Sequence, residues 1–445
     1  MKKFQFIYVL LTSLLFVACA ESDDLLVSET KPATKNPYEI SIESAMQTLE
    51  TMFPEMMRTT RVGASEVKTL RRSDLGMATR ADDADPQAPI AYIIPLANNG
   101  CAIMGADVRQ ERLYAALEST TLTPGDIARA FQQQQTTRSS NATDNEGTDG
   151  EFEQIDDIKE FAAGLIANSI SGDIQFPPED SLPTGVIEIP TRLEIVATDT
   201  VEQLLNTKWH QGYPFNMRQG LHPRTGNPIP AGCGPIALAQ VINYHKYPNF
   251  YKGTIFNWNL LQGLHFPYPA IGASSSAENA GADLVYATRQ MLCMRNDTLT
   301  SSRPDSLRNT LERIGYDAVI YENISGTTIK QVIDWGYCAF TCGYRMFLEN
   351  GRLKTDGHVW VIDGYKKYKH NYITPYNTIY SSTDIYYAHY NLGWGGKCDG
   401  YYLLGTVDFR DPLEEIFIEP EIGDISFEGD SYYDFDFYTI IYQQR

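Results

Sequence analysis

The chain has 445 residues, 43% of them hydrophobic and 21% charged, which suits a soluble globular chain of two or three domains with a sizeable core. Its formal charge of −20 opposes nucleic-acid phosphates, and no zinc-finger spacing or basic helix argues otherwise, so no nucleic-acid partner is expected. Much of the acidity is local: ten carboxylates and no Lys or Arg lie between Asp411 and Asp436, the pattern of a solvated acidic face.

At the start, Lys2 and Lys3 precede an apolar core from Phe4 to Val17. That core is too short for a comfortable membrane span and is flanked like a secretory signal. The small residue Ala18 then precedes Cys19, an arrangement that resembles a bacterial lipobox. The resemblance implies a signal peptide over residues 1–18 and acyl chains on the sulfur and amine of Cys19. It implies an exported lipoprotein of the outer membrane or cell surface, touching the membrane through its lipid anchor only. The acidic run after Cys19 resembles signals that send some bacterial lipoproteins to the outer surface. No later segment reaches 18 uninterrupted apolar residues. Residues 19–37 are polar, hold Pro32 and Pro37, and read as a tether.

A first α+β domain is expected over residues 38–175. Ile42, Ala45, Met46, Leu49 and Phe53 fall at helical spacing behind Ser41, a plausible cap. The stretch from Ile90 to Ala106 reads as two apolar strands around Asn99-Gly100. Residues 132–151, rich in Gln, Thr, Ser and Asn, cannot bury a core and read as a flexible insertion. The proline-rich residues 176–192 read as an extended linker. A second domain, 193–445, is helical in its first half and strand-like in its second, which predicts α+β.

An exported chain permits disulfides, but seven cysteines at irregular spacing do not resemble a disulfide framework. Cys338 and Cys342 on one strand would lie about 13 Å apart, beyond the roughly 7 Å that a disulfide tolerates. The pairing of Cys101, Cys293, Cys338, Cys342 and Cys398 stays open. A zinc site would need Cys338, Cys342 and Cys398 to converge with a histidine. The short Cys-x-x-Cys knuckle is missing, so neither a metal nor a cofactor is expected.

Cys233 stands between Gly232 and Gly234, ahead of Pro235 and an apolar run with helical spacing. Proline suits the first helical turn. A helix start stabilises an anion through its unpaired N–H groups, and this lowers a thiol pKa. The bland alternative is a buried cysteine packing as a small hydrophobe. A thiolate nucleophile needs a base. His358 opens a strand run, whereas His245 lies about 18 Å along the helix from Cys233 and is out of reach. His389 is a competitor, read mainly as a strand residue. His210, His222, His265 and His370 have no partner pattern and are expected at the surface, and Asp363 reads as a turn residue or buried acceptor. Asn391 could orient an imidazole, with Trp394 shielding that bond from water. Gln211 could supply an oxyanion donor.

The order Gln211, Cys233, His358, Asn391 resembles that of papain-like cysteine peptidases. The local sequences "HQGYPFN", "ALAQVINYHKYP" after Gly232-Cys233, "GHVWVIDGY" and "NLGWGGKCDGYY" resemble the streptopain family, across most of residues 200–405. The segment "IAYIIPLANNGCAIMGADVR" resembles that family's inhibitory propeptide. The resemblance implies a papain-like catalytic domain, with a helical lobe and an antiparallel β lobe, behind a small α+β prodomain. It implies an endopeptidase made as a zymogen, with Cys233 as nucleophile, His358 as base, Gln211 at the oxyanion, and Asn391 and Trp394 beside the histidine. Partners would be protein and peptide substrates and the chain's own prodomain, and activation would cut between about 170 and 200. Leu392 stands where close relatives carry tryptophan, and Gly234-Pro235 replaces a Val-Ala pair. Two other readings remain, a silent binding or inhibitor protein on the same fold and an amidase or transpeptidase.

Overall fold

A computed structural model describes residues 38–57, 63–77, 85–108, 110–139, 153–154, 157–174, 192–264, 275–294, 303–322, 324–349, 352–373, 379–404 and 435–445. The expected signal, Cys19, the tether, His265, almost all of the linker and most of the acidic run lie outside the described residues. Residues 38–445 cluster as one compact unit.

In the N-terminal half, helix α1 (Ile42–Met52) starts where the Ser41 hydroxyl accepts the Ser44 N–H at 3.2 Å, and it buries Ala45, Leu49 and Met52. A short helix, α2 (Pro54–Met57), follows. Strands β1 (Lys68–Arg71), β2 (Pro89–Pro95), β3 (Cys101–Gly105) and β4 (Leu113–Leu117) form an antiparallel meander. The β2–β3 turn uses Asn98 and Asn99 at φ of 55° and 61°, a region asparagine tolerates. Helix α3 (Pro124–Ser139), the two-residue β5 (Glu153–Gln154) and helix α4 (Ile158–Ile174) complete this half. Helix α3 continues through residues 132–139, where composition predicted a flexible segment. Packing is the reason: Gln134 is buried on α4 and its side-chain amide donates to the Gly164 carbonyl at 3.1 Å.

The second half opens with β6 (Arg192–Val201) and then turns helical with α5 (Cys233–His245). A small hairpin of β7 (Phe250–Tyr251) and β8 (Thr254–Ile255) leads to α6 (Trp258–Leu261), α7 (Ser276–Met291) and α8 (Pro304–Arg313). Strand β9 (Tyr316–Glu322), helix α9 (Gly326–Asp334) and strands β10 (Ala339–Glu349), β11 (Arg352–Ile373), β12 (Ile379–Asn391), β13 (Gly400–Leu403) and β14 (Phe435–Gln444) follow. Helices come first and antiparallel strands after, so the class is α+β, as the residue pattern predicted.

One sheet runs through both halves in the order β1-β2-β3-β4-β13-β12-β11-β10-β14-β9, with β5 and β6 also paired to β11. The seam is the antiparallel pair β4–β13, with Gly400 opposite Leu117 and Tyr402 opposite Ala115. Only glycine fits at Gly400: its φ is 154°, and a Cβ there would stand 2.2 Å from the Ala116 carbonyl oxygen. Two cores sandwich the centre of this sheet. Helices α5, α7 and α8 pack with Phe340, Cys342, Val359 and Val361 on one side. Helices α3 and α4 pack with Trp360, Ile362, Ala388 and Tyr390 on the other. The alternation along β11 decides which residue joins which core.

His370 departs from expectation. It was read as a surface residue and is buried at 1% exposure. It lies near the C-terminal end of β11, which at that point is flanked by both β6 (Ile195) and β12 (Thr383). Burial, with a smaller effect from Arg112, pulls its imidazole down to about 4.

Candidate active site

Gly232 leads into α5 at φ 95°, a conformation glycine takes without strain, and Cys233 is the first residue of the helix. The Cys233 side chain is buried in the α5 core with Cys342 and Val359. Burial raises its thiol pKa, and hydrogen bonds from the N–H groups of Val359, Gly234 and Cys233 itself only offset part of that rise. The helix start was expected to lower this pKa. In this arrangement desolvation outweighs the helix terminus.

His358 immediately precedes Val359 on β11. Successive side chains on a strand point to opposite faces, so Val359 faces Cys233 while His358 faces the α4 side with Trp360. The His358 ring lies 5.5 Å from the ring of Phe161 on α4, edge-on, and 6.1 Å from Trp360 in a stacked geometry. Its Nε2 is 2.8 Å from the Leu392 carbonyl oxygen. Burial draws its pKa down to about 4, although the Leu392 carbonyl favours the charged ring. Strand β5 pairs in parallel with Asp356 and Gly357, just ahead of this histidine.

Asn391 ends β12. Its Oδ1 accepts the Gln240 side-chain N–H at 3.1 Å and the Gly393 N–H at 3.2 Å, and its Nδ2 donates to the Thr207 carbonyl at 2.8 Å. The carbonyl that meets His358 therefore belongs to the next residue, Leu392. Trp394 is half-buried against the core that holds Trp360. Gln211 is buried, and its backbone carbonyl accepts the Ala231 N–H at 2.8 Å, two residues before Cys233. Gln211, Cys233, Asn391 and Trp394 thus lie on segments gathered around α5, while the His358 ring lies across the strand from Cys233.

Three participants escaped the sequence reading. Gln240, fully buried on α5, bonds Asn391 and the segment around Thr207. A polar residue on the buried face of an apolar helix was the available signal. Asp399 is buried and its carboxylate accepts the Leu392 N–H at 2.8 Å. Burial pushes its pKa up to about 7 against the pull of that hydrogen bond and of His389. Glu118, from the N-terminal half, meets His389 Nε2 at 3.2 Å, and Asp363 meets His389 Nδ1 at 2.6 Å. Burial alone would lower the His389 pKa, but Asp363 and Glu118 together push it up to about 10. Held between two carboxylates, the His389 ring is favoured in its charged form, and Asp363 is the buried acceptor expected. No group of three or more His, Cys, Asp or Glu among the described residues could hold a metal ion.

Residues 209–341 match the model of the Peptidase C10 family, a span that contains Gln211 and Cys233 and stops short of His358, Asn391 and Trp394. Streptopain of Streptococcus pyogenes serotype M1 is 22% identical over 244 residues, which is 47% of this chain and 56% of streptopain. The chain thus spans little more than half the length of that curated relative. A fragment of Prevotella intermedia prointerpain A is similar over 79% of this chain and 94% of its own, at 16% identity and a TM-score of 0.41. Active interpain A cysteine protease from Prevotella intermedia is similar over 46% of this chain and 89% of its own, at 20% identity and a TM-score of 0.33. The segment that begins at Trp209 and carries the Cys233 helix is thus similar to the Peptidase C10 family.

Proposed function

We propose that the chain is a cysteine endopeptidase made as an inactive precursor, with Cys233 as nucleophile and His358 as base. One observation carries the reading: the helix that starts at Cys233 abuts the N–H of Val359, the residue next to His358. For the imidazole to reach the sulfur, the β11 backbone at 357–358 would have to turn His358 from the α4 face to the Cys233 face. The Leu392 carbonyl suits an imidazole protonated on Nε2, which leaves Nδ1 to take the thiol proton. The thiolate then attacks a peptide carbonyl, with the oxyanion facing the Cys233 N–H and the Gln211 amide. The imidazolium protonates the leaving amine, and water hydrolyses the thioester. Asn391 and Trp394 shape the floor beside the base.

The N-terminal half acts as the inhibitor. Phe161 of α4 packs on His358, and β5 runs beside the strand that carries it. Cleavage within residues 176–192 would free α4 to leave and the histidine to turn. The substrates are proteins and peptides. Acylation of Cys19 and display on the outer membrane or cell surface belong to the same proposal, and loss of detergent-phase partition in Cys19→Ala tests that part.

Mass spectrometry of the chain treated with a thiol-reactive peptide inhibitor tests the peptidase reading. Cys233 is labelled once the linker is cut, and Cys233→Ala abolishes casein cleavage. Labelling at another cysteine, or a cut wild type without thiol-dependent cleavage, overturns the reading and leaves a silent binding protein in its place.

A further inference from the structure

Gln240 lies seven residues beyond Cys233, so two turns of α5 bring it to the same helix face, about 10 Å further along the axis. It is fully buried. Its Oε1 accepts the Thr207 hydroxyl at 2.8 Å and, at 3.4 Å, the Trp209 N–H, while its Nε2 donates to Asn391 Oδ1 at 3.1 Å. Asn391 closes the ring by donating to the Thr207 carbonyl at 2.8 Å. The loop after Asn391 is seated on the same helix: a Cβ on Gly393 would stand 3.1 Å from the Ile236 side chain. The Gly395 N–H donates to the Trp209 carbonyl at 3.0 Å. Three segments that carry candidate site residues thus meet at one side chain. They are the nucleophile helix, the 207–211 segment with Gln211, and the 391–394 loop whose Leu392 carbonyl holds His358.

We infer that Gln240 is a positioning residue for this chemistry: through Asn391 it fixes the 391–394 loop, whose Leu392 carbonyl meets His358 in the uncut chain, relative to Cys233. The inference rests on the peptidase reading above. A side chain that both accepts from the 207–209 segment and donates to Asn391 explains the choice of residue type. Asn391 Oδ1 already accepts from Gln240 and Gly393, so the loop and not the Asn391 side chain presents the acceptor to the imidazole. A buried amide left half-paired would be costly, so the ring forms as a unit. Gln240 touches neither substrate nor sulfur, and its effect reaches the reaction only through geometry.

The test uses the full-length chain, cut in its linker, with Gln240→Met and Gln240→Glu. Methionine keeps the volume and loses every bond. Glutamate keeps the acceptor for Thr207 and loses the donor to Asn391. Both variants are expected to lower kcat at least ten-fold with KM within two-fold of wild type. The acid limb of the kcat/KM profile is expected to shift, because the loop that lies beside the base is displaced. In a double-mutant cycle, adding Asn391→Ala to Gln240→Met should cost little more than either change alone. Wild-type kcat and pH profile in the variants, or additive effects in the cycle, overturn the inference. Failure of both variants to fold overturns it too, since the residue would then serve folding alone. An inactive cut wild type is the separate result that removes the peptidase reading, and the positioning role with it.

Discussion

Both groups that would do the chemistry are held neutral in the uncut chain. Burial raises the Cys233 thiol and draws the His358 imidazole down to about 4, so neither thiolate nor imidazolium is favoured near neutral pH. Reactivity of a cysteine follows its thiolate fraction and its access, and Cys293 is the exposed thiol among the described cysteines. With iodoacetamide at pH 8, Cys293 of the uncut chain should be alkylated about a hundred-fold faster than Cys233. After the linker is cut, Cys233 should become the faster of the two. Peptide mass spectrometry over a time course reads both rates, and a Cys233 as fast as Cys293 in the uncut chain would contradict the buried, neutral pair. The place of Cys233 was legible in the sequence, because Gly-Cys-Gly-Pro ahead of an apolar helical run sets a helix start. The face of His358 was legible only conditionally. The alternation of "HVWVI" puts His358, Trp360 and Ile362 on one side and Val359 and Val361 on the other. Nothing local says which side receives α4. His370 misled for a related reason, since lying on a strand does not reveal that two further strands flank it.

At the scale of elements, α4 and β11 form the contact that, on the proposed reading, holds His358 away from Cys233. Phe161 is fully buried between the His358 and Trp360 rings, at 5.5 and 5.7 Å. Replacing a buried phenylalanine with alanine removes its transfer free energy and leaves a cavity, at a cost of about 3–5 kcal/mol. Phe161→Ala should therefore lower the unfolding free energy of the uncut chain by that amount, and its urea midpoint falls in proportion. It should also shorten the lag before thiol-dependent cleavage begins, because the ring that holds His358 is gone. An unchanged lag in a variant that is measurably less stable would show that Phe161 only fills space. Most elements were readable from pattern: the Ser41-capped α1, the strands either side of Asn98 and Asn99, and the helix that starts at Cys233 each follow from local spacing and turn chemistry. The length of α3 was not. Its glutamine-rich end has no apolar stripe, and it stays helical because buried Gln134 finds the Gly164 carbonyl on a neighbouring helix.

Across the whole molecule, the two halves are joined by a shared sheet and by buried charge. Strand β4 pairs with β13, the Tyr368 hydroxyl donates to the Met52 carbonyl, and Lys366 meets Glu55 at 2.9 Å and Glu202 at 3.2 Å. Sequence spacing could not show this seam, because strand pairing between residues some 280 positions apart leaves no local trace. The most pH-sensitive link is His389, between Asp363 of the second half and Glu118 of the first, with Asp399 close by and Lys208 3.7 Å from Glu118. His389 is raised from its ordinary 6.5 to about 10, so its stabilisation is fully present below pH 6.5 and is lost as pH climbs through 10. Asp399, raised from 3.8 to about 7, acts in the same direction, its share present below 3.8 and lost as pH rises through about 7. Glu118 is lowered from 4.5 by His389, so its share is present above 4.5 and is lost as pH falls through its depressed value. With the Glu118 share complete above about 4.5 and the Asp399 share declining from 3.8 upward, the link is strongest near pH 4.5 and weakens on the alkaline side. The urea midpoint of the uncut chain should fall steadily from pH 6.5 to 10. Glu118→Gln removes one of the two carboxylates that hold the His389 charge, so it should lower the midpoint at pH 6.5 and flatten the fall above it. A wild-type midpoint that stays level over that range, or a Glu118→Gln variant that falls as steeply as wild type, would show that the charge on His389 does not join the halves.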